Sequence, residues 1–194
     1  MKKIFLFVCI GLLTLNGYSQ KKKAAAKKPA ATVAALPKLD NLQVEVKGGK
    51  FQIAIVEKGK PADAMVVKED VTGFQPKDCK LNSFMASGVK LYLLTWTEIN
   101  TITTGDKTEE RTTVYSVIYE IAAKKQVFSN YQLTNHITEK VFLDKLRTAS
   151  ETQEKIRREG FEFVLNPDGS ITQKSKTQQN TMFYNKEKME FGKK

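Results

Sequence analysis

Residue types that carry chemistry are scarce in this sequence. It holds two cysteines, one histidine, one tryptophan and five prolines in 194 residues. Cys9 falls inside an apolar N-terminal run, so Cys79 is the one thiol of the main body and no intramolecular disulfide can form there. Stability has to come from packing, which a chain of this length can supply. His136 is the single base available to a serine triad or a Cys/His pair, and no Gly-x-Ser-x-Gly elbow accompanies it. Zinc sites fail for want of ligands. Gly48-Gly49 and Gly105 lack the spacing of a phosphate loop or dinucleotide fingerprint, and Asn166-Pro167-Asp168-Gly169 lacks the downstream acids of a calcium loop. No catalytic residue, cofactor or metal is assigned. Carboxylates remain: Glu98, Glu109, Glu110, Glu120 and Glu162 fall on strands or at a ribbon tip, and Glu98 and Glu120 interrupt otherwise apolar arms. A carboxylate-dependent hydrolase acting on an envelope glycan is therefore the enzymatic alternative.

What is present begins with an export signal. Met1-Lys2-Lys3 precedes an apolar run from Ile4 to Leu15, and Gly17 and Ser19 are small residues placed for cleavage before Gln20. The run is too short to span a bilayer as a helix, so no transmembrane segment is expected after cleavage. Residues 1–19 read as a signal peptide and the chain as periplasmic or secreted. Residues 20–40 are rich in Lys, Ala and Pro, with too little apolar bulk to offset the entropy of ordering, and read as a disordered linker. Their composition resembles linker-histone tails and the Lys/Pro spacers of envelope-spanning proteins. Lys21, Lys22, Lys23, Lys27 and Lys28 would attract anionic lipid or cell-surface polymer. Most of the formal charge of +11 lies in residues 1–40, which hold eight lysines and one acid, since residues 41–194 carry 24 basic against 20 acidic residues. A nucleic-acid partner is not expected. In general style the chain resembles small exported proteins of Gram-negative bacteria, a likeness of composition that carries no functional residues.

Residues 41–194 read as one α+β domain, predominantly an antiparallel meander with a long amphipathic helix packed on it near the C-terminus. Its centre is a ribbon of two arms, Val89 to Ile102 and Thr112 to Ile121, dense in β-branched and aromatic residues. Alternation puts Tyr92, Leu94 and Trp96 on one face and Leu91, Leu93 and Ile99 on the other. Both faces are apolar near the base, which predicts cover on both sides there. Leu42–Val46 and Phe51–Val56 flank a Gly-Gly turn and form a hairpin. Gln126–Leu133 reads as the next strand of the meander. From Thr138 to Glu159 the stepping of Phe142, Leu146, Ala149 and Ile156 predicts a helix, supported by Glu151–Lys155 and Glu154–Arg158 spacings and ended by Gly160. His136 then falls in the loop or cap before it. Phe161–Leu165 and Ser170–Gln173 form a hairpin around Asn-Pro-Asp-Gly, and Met182–Tyr184 and Met189–Phe191 read as edge strands.

Tyr92, Trp96, Tyr115 and Tyr119 form a cross-strand cluster if the register brings them to one face. Such a cluster is core if covered, and a binding surface for sugar rings or an apolar partner if open. The expectation is an exported, non-enzymatic protein that acts by binding another envelope protein or an anionic cell-surface polymer.

Overall fold

The structure, a computed structural model, describes residues 35–71 and 73–193. Residues 1–19, read above as a signal peptide, and the lysines from Lys21 to Lys28 lie outside these residues. The described chain is a succession of antiparallel strands: β1 (Lys38–Leu39), β2 (Leu42–Lys47), β3 (Lys50–Glu57), β4 (Lys60–Lys68), β5 (Lys77–Ala86), β6 (Val89–Thr104), β7 (Lys107–Glu120), β8 (Lys125–Phe142), β9 (Ser150–Gly160), β10 (Glu162–Leu165), β11 (Ile171–Lys174), β12 (Gln179–Asn185) and β13 (Glu190–Gly192). They form three sheets in sequence order, β1 to β4, β5 to β9 and β10 to β13. Strand pairing begins at Lys38, and Leu36 and Leu39, within the stretch read as linker, pack against the core.

The central sheet, β5 to β9, is covered on both faces at its base, as the doubly apolar ribbon predicts. Tyr92, Leu94 and Trp96 of β6 and Val117 and Tyr119 of β7 form one core with Leu42, Val44, Phe51, Ile53 and Met65 of the first sheet. We call this the front face. On the back face Leu91, Leu93, Ile118 and Val127 pack against Ile171 and Tyr184 of the third sheet. The Asn-Pro-Asp-Gly hairpin forms as read, pairing Leu165 with Ile171. Its Gly169, at φ +79°, fits against the backbone of Met85 and Ala86, where a Cβ would lie 2.1 Å from the Met85 carbonyl oxygen.

The helix over Thr138–Glu159 does not exist, and the fold is all-β among the described residues. β8 runs through to Phe142 and pairs with β9 from Gln132↔Gly160 to Phe142↔Ser150. Two physical reasons favour the hairpin. The proposed stripe has nothing to bury against: Leu146 is 83% exposed and Ile156 56% exposed. In addition, residues four apart share a face in a strand as well as in a helix, so the Glu/Lys and Glu/Arg spacings do not discriminate. The turn is built by Asp144, whose carboxylate accepts hydrogen bonds from the Thr148 and Ala149 amides and the Thr148 hydroxyl. Arg147 occupies the left-handed region at φ 57°. Gly160 does adopt positive φ (78°), but it ends a strand, and its missing side chain makes room for the Tyr131 carbonyl. The front cover is the first sheet and the back cover the third; no helix is long and apolar enough to cross a membrane among the described residues.

Candidate functional site

The cross-strand register brings Tyr92 opposite Tyr119 and Trp96 opposite Tyr115, so the four aromatics do share the front face. They are core there. Tyr92, Trp96 and Tyr119 are buried beneath the first sheet, and Tyr115 is half-buried at its margin. Phe51 meets the Trp96 ring edge-on at 5.2 Å, and Tyr115 stacks on it at 4.8 Å. The Tyr92 hydroxyl donates to Asp40 at 2.8 Å, tying the central sheet to the β1–β2 turn. Burial pushes the Tyr119 phenol up to about 12.

Glu98 closes this cluster. Its carboxylate accepts the Trp96 indole N–H at 2.9 Å and both of its oxygens lie within 2.9 Å of the Lys68 ammonium at the end of β4. Glu120 lies on the opposite face, where it accepts a short hydrogen bond from the Tyr184 hydroxyl. Glu98 pairs with Thr113, and Glu120 is seven residues farther along β7, about 23 Å at strand rise. These two carboxylates cannot flank one glycosidic bond. Glu109, on the front face, is gripped by Lys107, Arg111 and Asn135, which hold its carboxyl down at about 2. It is only 14% exposed.

Cys79 packs at the margin of the front core, and burial raises its thiol to about 11. His136 is an exposed residue in the middle of β8, opposite Glu110 and Ile156, and not in a loop or cap. Three strand spacings, about 14 Å, separate their strands, and they belong to opposite faces, so no Cys/His pair forms. No cluster of metal-ligating side chains occurs among the described residues.

The feature that sequence reasoning missed is where the covering sheets stop. β5 pairs with β6 only as far as Thr97. Lys68 of β4 reaches Glu98 on the front, and on the back Asn130 anchors the third sheet through the Phe161 carbonyl and the Gln173 amide. Beyond these points β6, β7, β8 and β9 continue as a single-layer, four-stranded blade. Its back face carries Thr97, Ile99, Thr101 and Thr103 of β6, Thr108, Glu110, Thr112 and Val114 of β7, then Thr134, His136 and Thr138 of β8 and Ile156 of β9. Ile99 (44%), Val114 (38%) and Ile156 (56%) stand exposed among the threonines. The front face is held by ion pairs instead, with Ile137 buried directly opposite Glu109 and Lys155. The threonine-rich run from Thr95 to Thr104, with Ile99 and Ile102 in it, was the available signal; its meaning depends on what covers the strand, which sequence alone does not give. No protein-family model, no curated protein and no solved structure matches this chain.

Proposed function

We propose that this chain is an exported, non-enzymatic protein that acts by binding another protein of the cell envelope, with the back face of the blade as its contact surface. The observation that carries this reading is the exposed row of β-branched side chains on a sheet that has no second layer. Packed sheets bury such residues, and an apolar patch left open on a rigid sheet suits a partner surface. The charges on this face come in both signs, Glu110 and Glu154 with Lys140 and Arg158, which favours a protein surface over a polyanion. Export rests on the N-terminal signal pattern.

The test places a photo-cross-linking residue at Thr112 or Thr134, with Thr181 of the third sheet as control, in the exported chain in its host. A discrete adduct is expected from the two blade positions and not from Thr181. Ile99→Lys combined with Val114→Lys should remove the adduct at unchanged folded fraction. The reading fails if no adduct forms, if the double variant leaves it intact, or if the chain turns over an envelope glycan in a Glu120-dependent way.

A further inference from the structure

The free edges of the three sheets differ in one respect. An exposed edge strand invites pairing with another chain, and proteins guard such edges with charge, proline, bulges or brevity. β4 carries Lys60, Pro61, Asp63 and Lys68; β5 carries Lys77, Asp78 and Lys80 with a bulge; β9 carries Glu151, Glu154, Lys155, Arg157, Arg158 and Glu159. β1, β10 and β13 are at most four residues long. The outer edge of β6 from Ile99 to Thr104 has none of these guards. β5 only begins opposite Thr97, at Lys77 after Pro76 and with its bulge, and Glu98-Ile99-Asn100-Thr101-Ile102-Thr103-Thr104 runs on with β7 on one side and no strand on the other among the described residues. Ile99 to Thr104 are all exposed and uncharged, and Glu98 at the base is neutralised by Lys68. In an antiparallel ladder about half of these residues aim both N–H and C=O at the vacant side.

We infer that this edge pairs with the same edge of a second copy of the chain, antiparallel and about a two-fold axis at Thr101, so that two five-stranded sheets join into one of ten strands. The sequence of the edge selects this occupant. About Thr101, Ile99 meets Thr103, Asn100 meets Ile102 and Glu98 meets Thr104, so apolar residues oppose threonine or asparagine and no like charges face each other. The contact is isologous and closes on itself. Pairing of β6 with the β9 edge of another copy would instead propagate as an open filament, and the charges of β9 stand against it. The proposal concerns the strand edge and stands independently of the reading of the back face.

The test is the oligomeric state of the chain by sedimentation, together with a register-specific cross-link. Wild type is expected to sediment as a dimer at concentrations up to about 100 µM, the range a modest interface reaches. Thr101→Lys should shift it at least tenfold towards monomer while leaving the far-ultraviolet circular dichroism of the fold, and its thermal midpoint at dilutions where both chains are monomeric, in place. With Cys9 and Cys79 replaced by serine, Thr101→Cys should oxidise to a covalent dimer, because residues paired across a two-fold lie about 4.5–5.5 Å apart. Ile99→Cys should not, since its own copy would sit four residue steps away. A wild-type monomer throughout this range overturns the proposal, including a monomer whose β6 amides resist hydrogen exchange because a segment of its own chain fills the edge. A dimer indifferent to Thr101→Lys, or one that cross-links equally at both positions, overturns it too.

Discussion

The Trp96 ring lies 13° from parallel with Tyr115 at 4.8 Å, and its indole N–H is taken by Glu98 two residues on. Stacking, edge contact with Phe51 and the Lys68–Glu98 pair thus converge on the one tryptophan of the chain, at the point where the first sheet ends. Trp96→Ala should destabilise the fold by about 3–5 kcal/mol, the usual cost of emptying a large buried aromatic site. Urea unfolding followed by far-ultraviolet circular dichroism checks this. In wild type the same residue reports on itself: its fluorescence should be blue-shifted when folded and move red in one transition coincident with the dichroism.

Glu109 supplies an acid-side prediction. Lys107, then Arg111 and Asn135, lower its carboxyl from 4.5 to about 2, so the folded state favours the ionised form. Its contribution is complete above pH 4.5 and is lost as pH falls from there towards 2. Asp40, Asp63 and Asp144 are also lowered, by hydrogen bonds from Lys90, Lys124 and Thr148 respectively, and act in the same sense. Glu109→Gln should therefore lower stability at pH 6 and flatten, without abolishing, its decline between pH 5 and pH 3. Urea midpoints at these three pH values for wild type and variant decide it. Parallel curves would show that Glu109 is not a source of the dependence.

Alkaline behaviour follows from the tyrosines with the opposite sign. Burial raises the Tyr119 phenol from 10 to about 12, and burial together with Glu120 raises Tyr184. Both favour the protonated form when folded. Their contribution is present below pH 10 and is lost as pH rises through the folded values. Tyr184→Phe should cost about 1–2 kcal/mol at neutral pH through the lost bond to Glu120, and it should make the fall in stability above pH 10 shallower. Thermal midpoints from pH 8 to 11 provide the check.

The central ribbon was legible because its signal is redundant. β-branched and aromatic density, period-two alternation and a Gly-Asp turn agree from Val89 to Glu120, and the faces assigned to Tyr92, Leu94 and Trp96 are the observed ones. The two glycine-based hairpins were legible for the same reason. β9 was not, because Glu151 to Glu159 contains one apolar residue, Ile156, in a run of charge. Its strand character comes from β8 beside it and from the Asp144 turn, and neither leaves a periodic mark in the sequence. The blade was hidden by a related cause. Thr101 on an exposed edge and Thr95 near a covered base differ by six positions and in no local property; the lengths of β5 and β4 separate them, through pairing partners far away in the chain.

Two glycines with nearly equal backbone angles separate conformational strain from steric fit. Gly88 turns β5 into β6 at φ +76° with open space where a Cβ would stand, whereas Gly169 at φ +79° has the Met85 carbonyl oxygen 2.1 Å and the Ala86 Cα 2.9 Å from that point. Alanine at position 88 meets only the left-handed backbone penalty, about 1 kcal/mol. Gly169→Ala carries that penalty and must also push the Asn-Pro-Asp-Gly turn away from the β5–β6 turn, opening the contact that seats Ile171 and Ser170, both buried. It should cost at least about 2 kcal/mol more than Gly88→Ala. The loss should be local, with hydrogen exchange rising across β10, β11 and β12 before it rises in β2 and β3. Equal midpoints for the two variants would mean that the turn packs loosely and that the third sheet is not fastened through Gly169.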